Sequence, residues 1–289
     1  AEADGTVIDL VGGIADIETR RLRFIGDAED RIREDFLRIL RFFRFFAWYG
    51  DGRPDAEGLK ACARLKDGLD RLSAERVWAE LKKLLAAPDP SRTLLWMRQA
   101  GVLSRVLPES EKWGIDAIHS LSATGRDLGW TPDALLRLEA IVPPDPARMK
   151  ALGKRLRLST AEANRLQCWA LTPPLEAGMS EGALARALYL GDVQGAVDRL
   201  RLALASARGR AAETDGALMQ AGGFSRLLAF AEKWQRPVFP VKGADLAALG
   251  VEAGPKLGAL LKGLEAEWIE TGFTLGRDAL LERAASKLA

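Results

Sequence analysis

A chain of 289 residues with 48% apolar side chains is long enough for two or three modest domains with real cores, and it reads as globular. Its formal net charge of +2 is too small to mark a polyanion partner by itself, so any basic patch is local and built mostly of arginine. No apolar run approaches the roughly 18 residues needed to span a bilayer, and AEADGTVIDL has neither a basic nor an apolar leader region. The expectation is a soluble, cytoplasmic protein with no membrane partner and no stable protein partner.

Residues 1–27 differ in texture from the rest. Thr6-Val7-Ile8-Asp9-Leu10-Val11 ahead of Gly12-Gly13, and the alternating Arg21-Leu22-Arg23-Phe24-Ile25 ahead of Gly26-Asp27, predict two short strands. Two strands do not make a stable sheet alone, so this segment should pack as an appendage or be the remnant of a larger sheet.

From Ala28 the pattern is helical almost without interruption. Gly26 to Gly50 reads as one amphipathic helix, stopped by Gly50-Asp51-Gly52 and Pro54. At about 100° per residue Arg31, Glu34, Arg38 and Arg41 share a third of its circumference with Asp35 at the edge, while Ile32, Phe36, Ile39, Leu40, Phe43 and Ala47 fill the opposite side. Asp55 to Leu65 is a second helix. Ser73 caps a third, with Glu75 in its first turn and Lys82 and Lys83 toward its end, as the helix dipole favours.

Ser91 to Ala100 and a turn ending at Pro108 follow. Residues 113–129 are punctuated by Gly and Ser and carry no clear period. Asp133 to Ile141 is helical, Pro143-Pro144-Asp145-Pro146 is a break, and short helices continue to about Arg208, one of them opened by the capping-box spacing Ser159 to Glu162. Small residues at Gly209, Gly216 and Gly222-Gly223 introduce a last subdomain. The fold class is therefore mainly α, a string of helical subdomains behind a small β remnant: residues 1–27, 28–110, 111–208 and 209–289.

Cys62 and Cys168 lie among apolar residues without CxxC spacing and read as buried thiols in a reducing compartment. His119, the single histidine, reads as structural, and a phosphohydrolase centre needing several His and Asp ligands is excluded. Gly12-Gly13 followed by Asp16 and Glu18 evokes a phosphate turn with metal carboxylates. Only two residues separate the Gly pair from Asp16, so a plain turn with solvent-facing Asp16 and Glu18 is expected, and no metal ligands. Asp35 and Arg38, three apart, offer acceptors and a donor fork suited to a base edge. Spacing alone favours an ordinary exposed ion pair. Phe42 and Phe45, beside Arg41 and Arg44, are either stacking platforms or packing residues.

The run DGTVIDLVGGIADIETRRLRFIGDAEDRIREDFLRILRFFRF closely resembles the class II tRNA nucleotidyltransferases and the bacterial poly(A) polymerases. That family carries D-x-x-G-G-x-x-D-L, then G-D-P-x-x-R leading into E-D-x-x-R-x-x-R. Here Asp9, Gly12-Gly13, Asp16, Gly26-Asp27, Arg31, Glu34-Asp35, Arg38 and Arg41 stand in those places, with Ala28 where proline is common. The likeness continues through Ser73-Ala74-Glu75-Arg76 with Glu80-Leu81, similar to a neck motif S-x-E-R-x-x-x-E-L, through Gly101 to Glu109, and through PVFPVKGADLAALGVEAGPKLGALLKGLEAEWI.

The resemblance implies a remnant of the catalytic head at 1–27, a neck at 28–110, a body at 111–208 and a tail at 209–289. It implies that Asp35 and Arg38 select ATP or CTP, that Arg41 lies at the incoming nucleotide and that Glu34 orients an arginine. The tail is expected to grip tRNA, with Lys242, Gly243 and Lys256 at helix starts facing RNA phosphates. The activity implied is template-independent nucleotide addition to an RNA 3′ end, CCA addition to tRNA foremost, with Mg²⁺ as cofactor; poly(A) addition, a non-catalytic helical RNA-binding module and a protein-interaction scaffold are the alternatives. The family's G-G-x-V-R-D turn, D-x-D metal strand and R-R-D-F-T-x-N-A segment all belong ahead of DGTVIDL, and no catalytic residue is assigned within this chain. The expectation is that purified residues 1–289 do not incorporate labelled CMP or AMP into tRNA lacking its 3′ end; incorporation in that assay overturns it.

Overall fold

The computed structural model describes residues 4, 7–110, 114, 116–211 and 214–288. Among the described residues the chain forms seventeen α-helices and no β-strand. Gly13–Glu18 (α1) precedes Ala28–Glu34 (α2), Leu37–Tyr49 (α3), Ala56–Leu65 (α4), Ala74–Leu85 (α5), Ser91–Gln99 (α6) and Val102–Val106 (α7). Asp116–Asp127 (α8), Ala134–Ile141 (α9), Pro146–Arg155 (α10) and Thr160–Leu171 (α11) come next. The chain closes with Glu181–Leu190 (α12), Val193–Arg210 (α13), Asp215–Lys233 (α14), Gly243–Ala248 (α15), Pro255–Glu270 (α16) and Arg277–Leu288 (α17).

The helix starts are written into the sequence by short polar side chains. Asp55, Ser73, Asp145, Ser180, Asp192 and Thr214 each accept a hydrogen bond from an amide in the first turn that follows. Ser159 and Glu162 close a reciprocal capping box. Each such cap is worth about 1 kcal/mol, enough to fix where a helix begins but not how helices pack. Packing comes from three apolar clusters. The largest joins α2 through α11 around Ile32, Phe43, Leu84, Leu94, Leu138 and Trp169. A second fills the space between α12, α13 and α14, and a third holds α15, α16 and α17 against Tyr189.

The two expected strands do not form. Thr6 lies outside the described residues; from Val7 to Ile25 the chain holds α1 and extended or bent segments with no ladder. The Asp9 carboxylate gathers the amides of Val11 (3.1 Å), Gly13 (2.9 Å) and Ile14 (2.8 Å), which turns the β-branched run into a cap for α1. Those three N–H groups, Ile14 foremost, hold the Asp9 carboxyl below its usual range. Gly12 enters the left-handed region at φ 74°, where glycine carries no steric penalty. Asp16 does not face solvent freely, because it pairs with Arg23 at 2.7 Å. The region 113–129, which carried no clear period, contains α8 over Asp116–Asp127.

One smaller expectation also changes. Cys62 is buried as expected, but Cys168 is only half-buried; both are free thiols, and burial pushes each upward. His119, read as structural, is an exposed side chain with its Nδ1 3.5 Å from Asp89.

One polar cluster sits inside the large core. Arg165 on α11 bridges Asp133, the N-cap of α9, at 2.6 Å and Asp198 on α13, which is fully buried, at 2.8 Å. Glu139, next to it, is 1% exposed and neither carboxylate oxygen has a hydrogen-bond partner. Burial pushes the Glu139 carboxyl well above its ordinary value, the Asp198 charge adds to this, and Arg165 opposes it. An acid whose folded-state value is raised stabilises the fold below the ordinary glutamate range and loses that contribution as pH rises. Glu139→Gln is therefore expected to melt a few degrees above wild type near about pH 8 and to converge with it toward about pH 4.5; thermal melts across that range check it.

Candidate nucleotide-recognition site

The expected single helix from Gly26 to Gly50 is two helices. α2 ends at Glu34, Asp35 is extended at φ −155°, ψ 108°, Phe36 is helical, and α3 begins at Leu37. The break has a local cause. The Asp35 carboxylate accepts the Leu37 amide through Oδ1 at 3.0 Å, offering the backbone an alternative to the helical ladder. Through Oδ2 it accepts Arg76 Nη2 of α5 at 2.8 Å. Partial burial pushes the Asp35 carboxyl up, but the Leu37 amide and the Arg76 guanidinium outweigh it and hold the group below its usual range. Phe36 lies flat on Gly68, where a Cβ would come within 2.0 Å of the ring.

Across this break the charged row reassembles. Glu34 receives Arg31 Nη1 on both oxygens at 2.8 Å and Arg38 Nη1 on Oε2 at 2.6 Å. Arg38 Nη1 also donates to the Arg31 carbonyl at 2.8 Å, so one guanidinium ties α3 to the last turn of α2. The hydrogen bonds from Arg38 and Arg31 keep Glu34 below the ordinary carboxylate range and therefore ionised. Arg44 Nε stands 3.0 Å from Oε2 of the buried Glu80, and Arg41 Nε stands 3.9 Å from Oε1.

Arg31, Arg38 and Arg41 face a cavity of about 260 Å³ whose apolar walls include Leu22, Phe24, Ile25, Phe42 and Phe45. Phe42 is a packing residue, buried and stacked on Phe24 at 5.3 Å. Phe45 is 39% exposed, with the Arg44 guanidinium 4.2 Å above its ring. Three guanidinium donors over an apolar floor can hold a flat polar ring together with anionic groups. Of the four residues expected at a nucleotide, Arg38 and Arg41 reach this cavity and Glu34 braces two of its arginines. Asp35 is not on its walls; its carboxylate is turned to Arg76. Sequence reasoning assigned no role at the site to Arg76 and Glu80. Their signal was the neck motif, but the contacts run 41 residues from Asp35 to Arg76, beyond any local period.

At the other end, Lys242 and Gly243 open α15 and Lys256 follows Pro255 in α16. The Lys242 amide is already given to Asp245 Oδ2 at 2.7 Å, and Asp245 pairs with Arg277 at 2.7 Å. The start of α15 thus carries its own carboxylate. The start of α16, at Gly254, has no side-chain cap, so its first amides are open to other acceptors. Among the described residues no group of three or more His, Cys, Asp or Glu could hold a metal ion. No helix there is long and apolar enough to cross a membrane.

Residues 53–113 match the family described as "Probable RNA and SrmB- binding site of polymerase A". The chain is 32% identical to the CCA tRNA nucleotidyltransferase 1, mitochondrial, of Mus musculus over 289 residues, which is 96% of this chain and 61% of that protein. It is 35% identical to the CCA-adding enzyme of Bordetella pertussis over 158 residues, 53% of this chain and 40% of that one. The fold is similar to that of the Bacillus stearothermophilus CCA-adding enzyme in complex with CTP, with a TM-score of 0.67 at 19% identity over 99% of this chain and 71% of that one. It is also similar to the Thermotoga maritima CCA-adding enzyme complexed with tRNA, with a TM-score of 0.62 at 20% identity over 98% and 68%. The architecture is thus that of the helical region of CCA-adding enzymes. The chain is similar to CCA tRNA nucleotidyltransferases over most of its own length and spans about three-fifths of the mouse relative's length.

The α3–α5 contacts separate into a buried and an exposed pair. Glu80→Ala leaves Arg44 without its carboxylate and is expected to lower the unfolding free energy by about 2–4 kcal/mol. Arg76→Ala removes a half-exposed partner and is expected to cost under about 1 kcal/mol. Urea denaturation of the two variants beside wild type measures both.

Proposed function

We propose that this chain serves nucleotide selection and RNA binding in an enzyme that adds nucleotides to the 3′ end of tRNA, CCA addition being the activity. The observation that carries this reading is the cavity in which Arg31, Arg38 and Arg41 converge, with Glu34 fixing the first two. In it the guanidinium of Arg38 presents hydrogen-bond donors to the base edge of CTP or ATP, and Arg41, lightly engaged by Glu80, meets the nucleotide's anionic portion. Asp35 completes base selection by turning one carboxylate oxygen from Arg76 toward the exocyclic amino group that cytosine and adenine share. A well-formed contact of this kind discriminates by about 1–3 kcal/mol.

CCA addition is favoured over poly(A) addition because the similar full-length proteins carry that name. The neck, body and tail boundaries at 28–110, 111–208 and 209–289 belong to the same proposal, and so does tRNA contact through Lys242, Gly243 and Lys256. The open start of α16 supports Lys256; the Asp245 carboxylate makes the side chain of Lys242, rather than the helix start at Gly243, the contributor at α15. The free thiols fit a reducing, cytoplasmic setting. Mg²⁺ belongs to the proposed activity, but no residue described here is assigned to it and no step is drawn through it.

Titration of the 289-residue protein with CTP and with ATP tests the reading. Saturable binding of both is expected, weakened at least about tenfold by Arg38→Ala and by Asp35→Ala, with GTP and UTP binding more weakly than either. Equal binding of all four nucleotides, unaffected by both substitutions, overturns it.

A further inference from the structure

Far along the chain from the nucleotide cavity, a second one of about 210 Å³ opens between α8, α9 and α13, with Ser122, Arg126, Trp130, Asp133, Arg137 and Arg201 on its walls. Its charge does not balance. Arg137 is 4% exposed, and its guanidinium donates only to the backbone carbonyls of Leu85, Ala87 and Pro88. No carboxylate is in ion-pair contact with it, and burial lowers its hold on the proton, with the Asp89 and Asp133 charges opposing that in part. Arg126 makes no side-chain hydrogen bond or ion pair among the described residues. Arg201 spends Nη2 on Glu232 at 2.7 Å and lies over Trp130, but its Nε is buried without a partner. The hydroxyl of Ser122, a residue 4% exposed, is likewise unpartnered.

The one carboxylate on the wall is already committed. Asp133 pairs with Arg165 at 2.6 Å and accepts the amides of Leu135 and Leu136 at 2.9 and 3.2 Å. What remains is Arg126 and the buried Arg137 with no carboxylate in ion-pair contact, and the unpartnered Nε of Arg201, beside a hydroxyl with nothing to bond. Burying a cation without a directly paired carboxylate is costly, and an anion in the cavity offsets that cost while satisfying Ser122.

We propose that this cavity binds a phosphate-type oxyanion, held by Arg126, Arg137 and Arg201 and hydrogen-bonded by Ser122. Planar guanidinium forks match a tetrahedral oxyanion. Free phosphate or pyrophosphate and an RNA backbone phosphate present the same chemistry to these side chains.

The test is calorimetric titration of the 289-residue protein with inorganic phosphate at constant ionic strength, chloride serving as the control anion. Saturable binding is expected, weakened at least about fivefold by Arg126→Gln and by Ser122→Ala, both of which keep the wild-type circular dichroism spectrum. Arg38→Ala, at the nucleotide cavity, leaves it in place. A response no different from chloride, or one unchanged in both Arg126→Gln and Ser122→Ala, overturns the proposal. Binding of a tRNA acceptor-stem hairpin by the same variants tells the source: a parallel loss assigns an RNA phosphate, and unchanged RNA affinity assigns the free ion.

Discussion

A single carboxylate sets the geometry of the candidate site. Asp35 takes the Leu37 amide that a continuous helix would have used, so α2 ends and α3 starts on a new axis. Its second oxygen is anchored to α5 by Arg76. Since α3 and α5 also share the buried Glu80 and the bond from Trp48 Nε1 to the Lys83 carbonyl at 2.8 Å, the break is fixed against α5 rather than free to hinge. The arginines of the cavity inherit their positions from this arrangement. Arg38 reaches back across the break to Glu34 and the Arg31 carbonyl, bracing the point where the two helices stop and restart.

Much of this was legible in the sequence, for definite reasons. Caps such as Ser73, Asp55 and Ser159 act within one turn, so their pattern survives in a linear string, and the helical fold class follows from them together with the apolar period. The break at Asp35 was not legible. Glu34-Asp35-Phe36-Leu37 contains neither Gly nor Pro, and the apolar period runs through it, because Ile32 and Ile39 are buried in the same core on either side. The strands misled for the opposite reason. Their β-branched and alternating residues matched a strand pattern, but a strand needs a neighbour, and Asp9 captured the amides first. Glu139 and Arg137 also escaped notice, since Leu135-Leu136-Arg137-Leu138-Glu139 reads as amphipathic. Only the surrounding helices make every residue of α9 buried.

The near-neutral total charge conceals how the arginines are distributed. Most are neutralised pairwise, on the surface by Glu29, Asp70 or Glu267 and in the interior by Asp198 and Glu80. Of the others, Arg126 and Arg137 line one cavity, while at the other Arg41 stands 3.9 Å from Glu80. A count of charged residues averages these sites away. The distinction between paired and unpaired arginine is a property of the fold, and a small net charge does not reveal it.

The seat of Phe36 on Gly68 reaches further than local packing. The ring occupies the volume that any larger residue at 68 would need, 32 positions away, so neither site can drift alone. A lineage that acquired alanine at 68 would have to shrink residue 36 in the same step or tolerate a displaced break, and with it a displaced set of arginines. The two positions are thus sterically coupled, and the break that places the arginines is guarded by a residue that itself has no functional group.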